Sequence, residues 1–360
     1  MSFEIIRLRL WLPVVFLLLA GCAGHTKPPT PVVVYPPPPD EPKFYFERTL
    51  RVSTDVEGIS GMDRFRMAVT GSVQVVDGLV KPFGIATYKG RVFITDTVAR
   101  SVKVFDLTQN KYFEFGTDEP GALAKPLGID VSAKGEVFVS DNTRKRVAVY
   151  TVDGKFLRAI GGPKLFSRPS GLAVNRQGTR LYVVDTGGVQ SINHHVYMFD
   201  AQSGELIKTI GNRGNADGDF NLPLQAATAN DGTLYVVDSG NFRVQAFDAD
   251  GHFRSKFGTI GRRSGQFARP KGIAVDGYGR VYVVDTAFGN FQIFTGDGKL
   301  LLFVGNRSER AGPANFMLPA GIDVDEDGRV YVVDQFFRKV DIFRPAHLKP
   351  QEGWAAMKKR

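Results

Sequence analysis

PKGIAVDGYGRVYVVDTAFGNFQIFT, Pro270 to Thr295, decides how the whole chain is read. It divides into GIAVD, a glycine turn, RVYVVD, a second turn and FQIF. These are three short runs rich in Val, Ile, Tyr and Phe, bounded by Gly or Asp. Such residues fit a pleated, half-buried surface and Gly and Asp punctuate it, so the stretch reads as three strands joined by hairpin turns. The pattern recurs six times. Openings fall at Pro82, Pro126, Pro169, Pro223, Pro270 and Pro319, and aspartate endings at Asp96, Asp141, Asp185, Asp238, Asp285 and Asp334. Successive aspartates lie 45, 44, 53, 47 and 49 residues apart, with no segment of helical period between them. A period of roughly 40–50 residues with several strands per unit is that of a propeller blade. The sequence therefore predicts an all-β, six-bladed β-propeller over residues 82–344.

The segment DSGNFRVQAFDADGHFRSKFG, Asp238 to Gly258, resembles an NHL repeat. So do GTIGRRSGQFARP and GNRSERAGPANFMLP, the loops leading into the next two openings. The resemblance covers Pro82 to Arg344 and implies the fold more than an activity, because NHL-type propellers include RNA binders, scaffolds, ligand sensors and a few lyases. Each complete repeat ends in a fourth strand, such as KFLRAIG (155–161), LIKTIG (206–211) or LLFVG (301–305). The last repeat runs to Arg344, meets Pro345 and lacks one, which would leave an unpaired edge. KFYFERTLRV, residues 43–52, is the natural donor, pairing with the last IFR strand. The rest of segment 43–81 carries Met62, Phe65 and Val69 at helical spacing, so one short helix is expected there. Residues 345–360 read as a basic tail.

The chain begins with Arg7 and Arg9, a short apolar run from Leu10 to Ala20, and Leu19-Ala20-Gly21-Cys22. A basic, then apolar, then small-residue order makes residues 1–21 a secretory signal. LAGC resembles the bacterial lipobox, which implies lipid attachment at Cys22. Ala23 after the cysteine, by the same resemblance, favours the outer membrane, facing the periplasm. Cys22 is the only cysteine, so the exported body is stabilised by its core and not by disulfides. Residues 22–42 are Pro-dense and read as an extended tether reaching roughly 60 Å at about 3.1 Å per residue.

The six closing aspartates are expected to accept backbone N–H groups in the turns that follow. DVDEDGRVYVVD, Asp323 to Asp334, matches a calcium-loop pattern, but strand geometry would carry Asp334 away from Asp327, so no metal is expected. His194-His195 read as part of a surface loop, an adjacent pair with poor geometry for one metal. Asp130 and Asp323 replace the Ala of blades 1, 3 and 5 on the innermost strand and are the candidates for a polar channel site. There is no nucleophile elbow, P-loop, CxxC or dinucleotide fingerprint, and no cofactor is expected.

The formal charge is +9. In a propeller, the loops entering each blade and those joining its second and third strands share one face. They carry Arg144, Lys145, Arg146, Arg243, Arg262, Arg263, Arg307, Arg310 and Arg338, among them Phe336 and Phe337. Lys155, Lys299 and Arg329 belong to the opposite face. A basic, aromatic-dotted face suits an anionic partner. The expected function is a lipid-anchored periplasmic binding or scaffolding module for an envelope protein or anionic envelope polymer. Contact with the membrane would run through the lipid alone, and nucleic acid is excluded by export. The alternative is a lactonase- or lyase-like enzyme with its site in the channel.

Overall fold

The structure is a computed structural model that describes residues 32–59, 61–71 and 76–356. Six antiparallel sheets follow one another along the chain. Their innermost strands are Pro82–Tyr88, Pro126–Val131, Pro169–Val174, Pro223–Thr228, Pro270–Val275 and Pro319–Val324. Each packs against its two neighbours, the sixth returning onto the first, so the ring closes as the repeats imply.

Burial follows position within the blade. In blade 5, Val281–Asp285 is buried throughout, while the outer Leu300–Val304 alternates between half-buried and exposed until the buried Val304. The apolar runs of the middle strands thus serve both faces of a sheet sandwiched between two others. The core is correspondingly layered between neighbouring blades. Phe138, Val147 and Val149 of blade 2 meet Leu172, Leu181 and Val183 of blade 3, and five equivalent layers complete the ring.

The closing aspartates are fully buried. Asp334 accepts the N–H groups of Met317 (2.7 Å) and Leu318 (3.0 Å) ahead of its blade, and those of Phe336 and Phe337 (2.9 Å each) in the turn after it. Asp96, Asp141 and Asp285 repeat the arrangement. Each ties two loops together at one end of its blade, so the carboxylates hold the loop face in place. The turn then needs a left-handed residue, supplied by Arg100, Lys145, Phe242 and Arg338 in four blades and by Gly289 in another.

The last blade is completed from the N-terminal side. Phe44–Leu50 pairs antiparallel with Lys339–Pro345, with Phe46 opposite Phe343 and Leu50 opposite Val340. The register slips between Phe46 and Arg48, leaving Glu47 on a bulge. A bulge re-aims one side chain, and Glu47 reaches Arg329, whose Nε lies 2.8 Å from Glu47 Oε2. Arg329 is fully buried, which differs from the exposed position expected for it. Its Nη2 donates to the Glu352 carbonyl (2.8 Å), so the segment after Arg344 folds back over the blade and covers the guanidinium.

Part of the segment 22–42, expected as a tether, joins this sheet. Val34–Tyr35 pairs with Phe44 and Tyr45 as a fifth strand, and the Tyr35 ring meets Phe343 edge-on at 5.7 Å. Two helices follow the closing strand, α1 (Thr54–Glu57) and α2 (Gly61–Thr70). α2 is the expected helix, although its Met62, Phe65 and Val69 are exposed. Among the described residues no helix is long and apolar enough to cross a membrane. The signal segment and Cys22 lie outside the described residues.

Candidate functional site

Because strands alternate in direction, the loops into each blade and the turns between its second and third strands emerge at one end of the ring. Arg262, Arg263, Arg310 and Arg338 are exposed there, and among the described residues none of these four side chains meets a carboxylate. Exposed Ile260 and Phe336 lie among them. Lys145 is half-buried and likewise without a carboxylate partner.

The other basic residues expected on this face are committed locally. Arg144 pairs with Glu119 at 2.6 Å. Arg146 is half-buried and donates to the carbonyls of Pro120 (3.1 Å) and Ala122 (2.9 Å). Exposed Arg307 reaches the carbonyls of Thr286 (3.4 Å) and Met317 (3.3 Å). Arg243 departs furthest from expectation: it is buried, with Nε 2.8 Å from Asp238 and Nη2 on the carbonyls of Ala216 and Asp219. A guanidinium five residues after a buried aspartate folds back onto it, which withdraws Arg243 from the surface. Of the nine basic residues expected on this face, four exposed arginines and the half-buried Lys145 thus remain free of carboxylates among the described residues.

At the centre of this face stands Lys271, which sequence reasoning passed over. Its Nζ is 3.1 Å from Gln335 Oε1 and 4.6 Å from the centre of the Phe83 ring. Burial, helped by Arg269, pushes its pKa down to about 8. The signal was available, since the equivalent positions hold Phe83, Leu127, Ser170, Leu224 and Ala320. Behind it the channel narrows because the inner strands touch. A Cβ on Gly84 would stand 2.3 Å from the Leu127 carbonyl oxygen.

The channel widens toward the opposite end into a cavity of about 610 Å³. Ile85, Ile129, Leu172, Ile273 and Ile322 contribute apolar wall, and Tyr88, Tyr278 and Trp354 stand at the mouth. Asp130 and Asp323 both line it, as expected of a channel pair. Each reaches forward to the next blade. Asp130 accepts the N–H groups of Val131 (2.7 Å) and Val174 (2.8 Å). Asp323 accepts the Thr87 N–H (2.6 Å) and hydroxyl (2.7 Å). Burial raises Asp130 to about 6 and, with repulsion from Asp130 added, raises Asp323 to about 8. At neutral pH the pair therefore holds about one proton between them.

Asp323→Asn checks this directly. Because Asp323 is raised above its ordinary 3.8, the native state takes up a proton that the unfolded chain releases between about pH 4 and pH 8. Stability from this group is thus present at low pH and lost as pH rises through that window. Asparagine keeps an acceptor for Thr87 without the charge. We expect it to stabilise the fold by about 1–3 kcal/mol at pH 7 and to flatten the pH dependence in urea unfolding.

The histidines differ from the surface loop expected. His194 is fully buried, with Nδ1 accepting from the Leu222 N–H (3.2 Å) and Nε2 therefore donating to the Gly188 carbonyl (2.8 Å). Its ring pins the long blade-3 loop to the next blade. His195 packs edge-on against Tyr197 at 4.6 Å, and burial lowers its pKa. Asp325 is held by the Tyr331 hydroxyl (2.8 Å) and the Arg329 N–H (2.8 Å). Among the described residues no three His, Cys, Asp or Glu side chains converge as a metal site.

No family model matches the chain. A distant homologue containing NHL repeats, protein brain tumor of Drosophila melanogaster, is 26% identical over 152 residues, 41% of this chain. The chain spans only 14% of that relative's length. A gluconolactonase from Xanthomonas campestris superposes with a TM-score of 0.58 at 17% identity, covering 89% of this chain and 99% of its own. A Staphylococcus aureus virginiamycin B lyase with quinupristin gives 0.53 at 18%, covering 75% and 84%. A protein of unknown function from Bacteroides thetaiotaomicron gives 0.58 at 19%, covering 74% and 70%. At such identities these similarities establish the six-bladed fold and no activity.

Proposed function

We propose that the protein is a lipid-anchored periplasmic propeller that binds or scaffolds, presenting its basic loop face to an anionic envelope protein or polymer. The observation carrying this reading is the group of four exposed, carboxylate-free guanidinium groups on Arg262, Arg263, Arg310 and Arg338, with Ile260 and Phe336 among them. Unpaired arginines keep their full donor fork for carboxylate or phosphate, and the apolar residues supply contact area. Their field is screened beyond about 10 Å at 0.1 M salt, so capture should weaken as salt rises. Reversing all four to Glu should abolish capture of the partner from envelope extract at low salt and leave the melting temperature near the parent's, since exposed charges add little to stability. Capture that neither the reversal nor salt alters would refute it.

The anchor rests on Leu19-Ala20-Gly21-Cys22. Cys22→Ser should abolish metabolic labelling with a radioactive fatty acid and move the protein from the membrane to the soluble fraction. Undiminished labelling would place the lipid elsewhere.

A second reading keeps one specific observation. Asp130 and Asp323, both raised by burial, stand on the wall of a substrate-sized cavity, and the fold is that of a gluconolactonase and a streptogramin-type lyase. A lactonase- or lyase-like enzyme working in the channel would use them as a general acid and base. Loss of turnover of a lactone panel in Asp130→Asn would support that reading, and absence of turnover in the parent would remove it.

A further inference from the structure

The wide end of the channel is a built pocket that the loop-face reading leaves unused. It is concave, apolar along its walls and polar at a few convergent points, the usual anatomy of a small-molecule site. Its inner-strand carboxylates are Asp130 and Asp323, with the neutral Thr87, Gln225 and Thr228 beside them in the lining. Asp130 and Asp323 lie among no Lys or Arg side chains within ion-pair distance in the described residues; Asp130 accepts two backbone N–H groups, and Asp323 accepts the Thr87 N–H and hydroxyl and the Val324 N–H. A carboxylate has about four acceptor positions, so acceptor capacity remains for the cavity, and the negative charge the pair carries near neutral pH, chiefly on Asp130, meets no cation. What the pocket lacks is a group that brings several N–H donors and a positive charge together.

We infer that the cavity binds a small primary amine, its ammonium lodged against Asp130 and Asp323 and its hydrocarbon part along the Ile85, Ile129 and Ile322 wall. A hydroxyl ligand would satisfy the acceptors but leave the charge, and a quaternary ammonium would balance the charge without donating. Groups of both signs surround the mouth. Lys89 and Arg176 stand there, and Arg280 is held by Asp276 at 2.6 Å. Glu326 accepts from the Lys89 N–H (3.1 Å), and Asp327 from the Trp354 N–H (2.6 Å) with Arg329 3.5 Å away. His347 and Asp325 complete the titratable groups around the mouth. Trp354, half-exposed, offers its ring to whatever part of the ligand projects outward.

The site lies at the end of the ring opposite the basic loops, so it stands or falls separately from the loop-face reading. The test uses n-butylamine and its neutral isostere n-butanol, titrated calorimetrically into the purified full chain. The amine should bind one-to-one, with Kd near the millimolar range accessible to so small a ligand, and at least about tenfold more tightly than the alcohol. Protonating Asp130 removes the charge the amine needs, so affinity should rise about tenfold from pH 5 to pH 8. The Asp130→Asn/Asp323→Asn double variant should lose at least about tenfold. Asparagine retains the acceptors for Val174 and Thr87; should that variant misfold, Asp130→Ala, which copies Ala86 and Ala173 of blades 1 and 3, takes its place. Equal binding of alcohol and amine, amine binding indifferent to the substitutions, or no saturable binding by the parent would each overturn the inference.

Discussion

Deletion of Lys43 to Leu50 is expected to unfold the propeller in its entirety. Phe44 and Leu50 are buried in different interblade layers, one toward blade 5 and one toward blade 1. Removing two such side chains forfeits about 1.5–3 kcal/mol each. The strand also supplies the ladder for Lys339–Pro345 and the Thr49 hydroxyl, which donates to Asp341 at 2.7 Å. Asp341 and Lys339 form a wholly buried ion pair at 2.5 Å, so exposing that edge wets charges the fold has desolvated. The summed loss is of the order of the 5–15 kcal/mol that holds a domain together. Urea unfolding followed by circular dichroism should show no cooperative transition for the deletion, whereas removal of residues 23–31 should leave the parent's midpoint. A deletion mutant melting like the parent would place ring closure elsewhere.

Glu47→Ala is the second large effect. Arg329 is 0% exposed and Glu47 provides the closest carboxylate, at 2.8 Å, with Asp327 farther away at 3.5 Å. Breaking a buried pair strands the remaining charge, which typically costs about 3–5 kcal/mol. The Glu47→Leu/Arg329→Met double variant removes both charges and fills similar volume, so it should recover most of that loss. Chemical denaturation of the three proteins decides the matter: a single variant as stable as the parent would mean that Asp327 and the Glu352 carbonyl suffice for Arg329.

The contrast between these two predictions shows where sequence is legible. The blades, their order and the donor of the missing strand follow from period and edge pairing, both properties that repeat. The bulge at Glu47 and the cover from the segment around Glu352 occur once and join residues some 300 positions apart, so no local pattern announces them. The counterparts of Arg329 in the first hairpins of blades 1, 3 and 5, Arg91, Arg180 and Arg280, are only half-buried, so nothing at that position of the repeat announces full burial. The basic face was legible as a set of loops but not residue by residue. Arg144 and Arg338 have the same kind of turn address, yet Glu119 captures the first and leaves the second free. Asp130 and Asp323 stood out because alanine fills that position in the neighbouring blades. Lys271 departs from its ring of equivalent positions, Phe83, Leu127, Ser170, Leu224 and Ala320, just as plainly.

The loop-face function and the channel alternative part company in one comparison. Two variants are made, Arg262→Glu/Arg263→Glu/Arg310→Glu/Arg338→Glu and Asp130→Asn/Asp323→Asn, and each is immobilised to capture the native partner from envelope extract at low ionic strength. Capture lost by the arginine variant and retained by the aspartate variant is the expected result; capture retained by the first and lost by the second would contradict a binding role for the loop face and move the function into the channel.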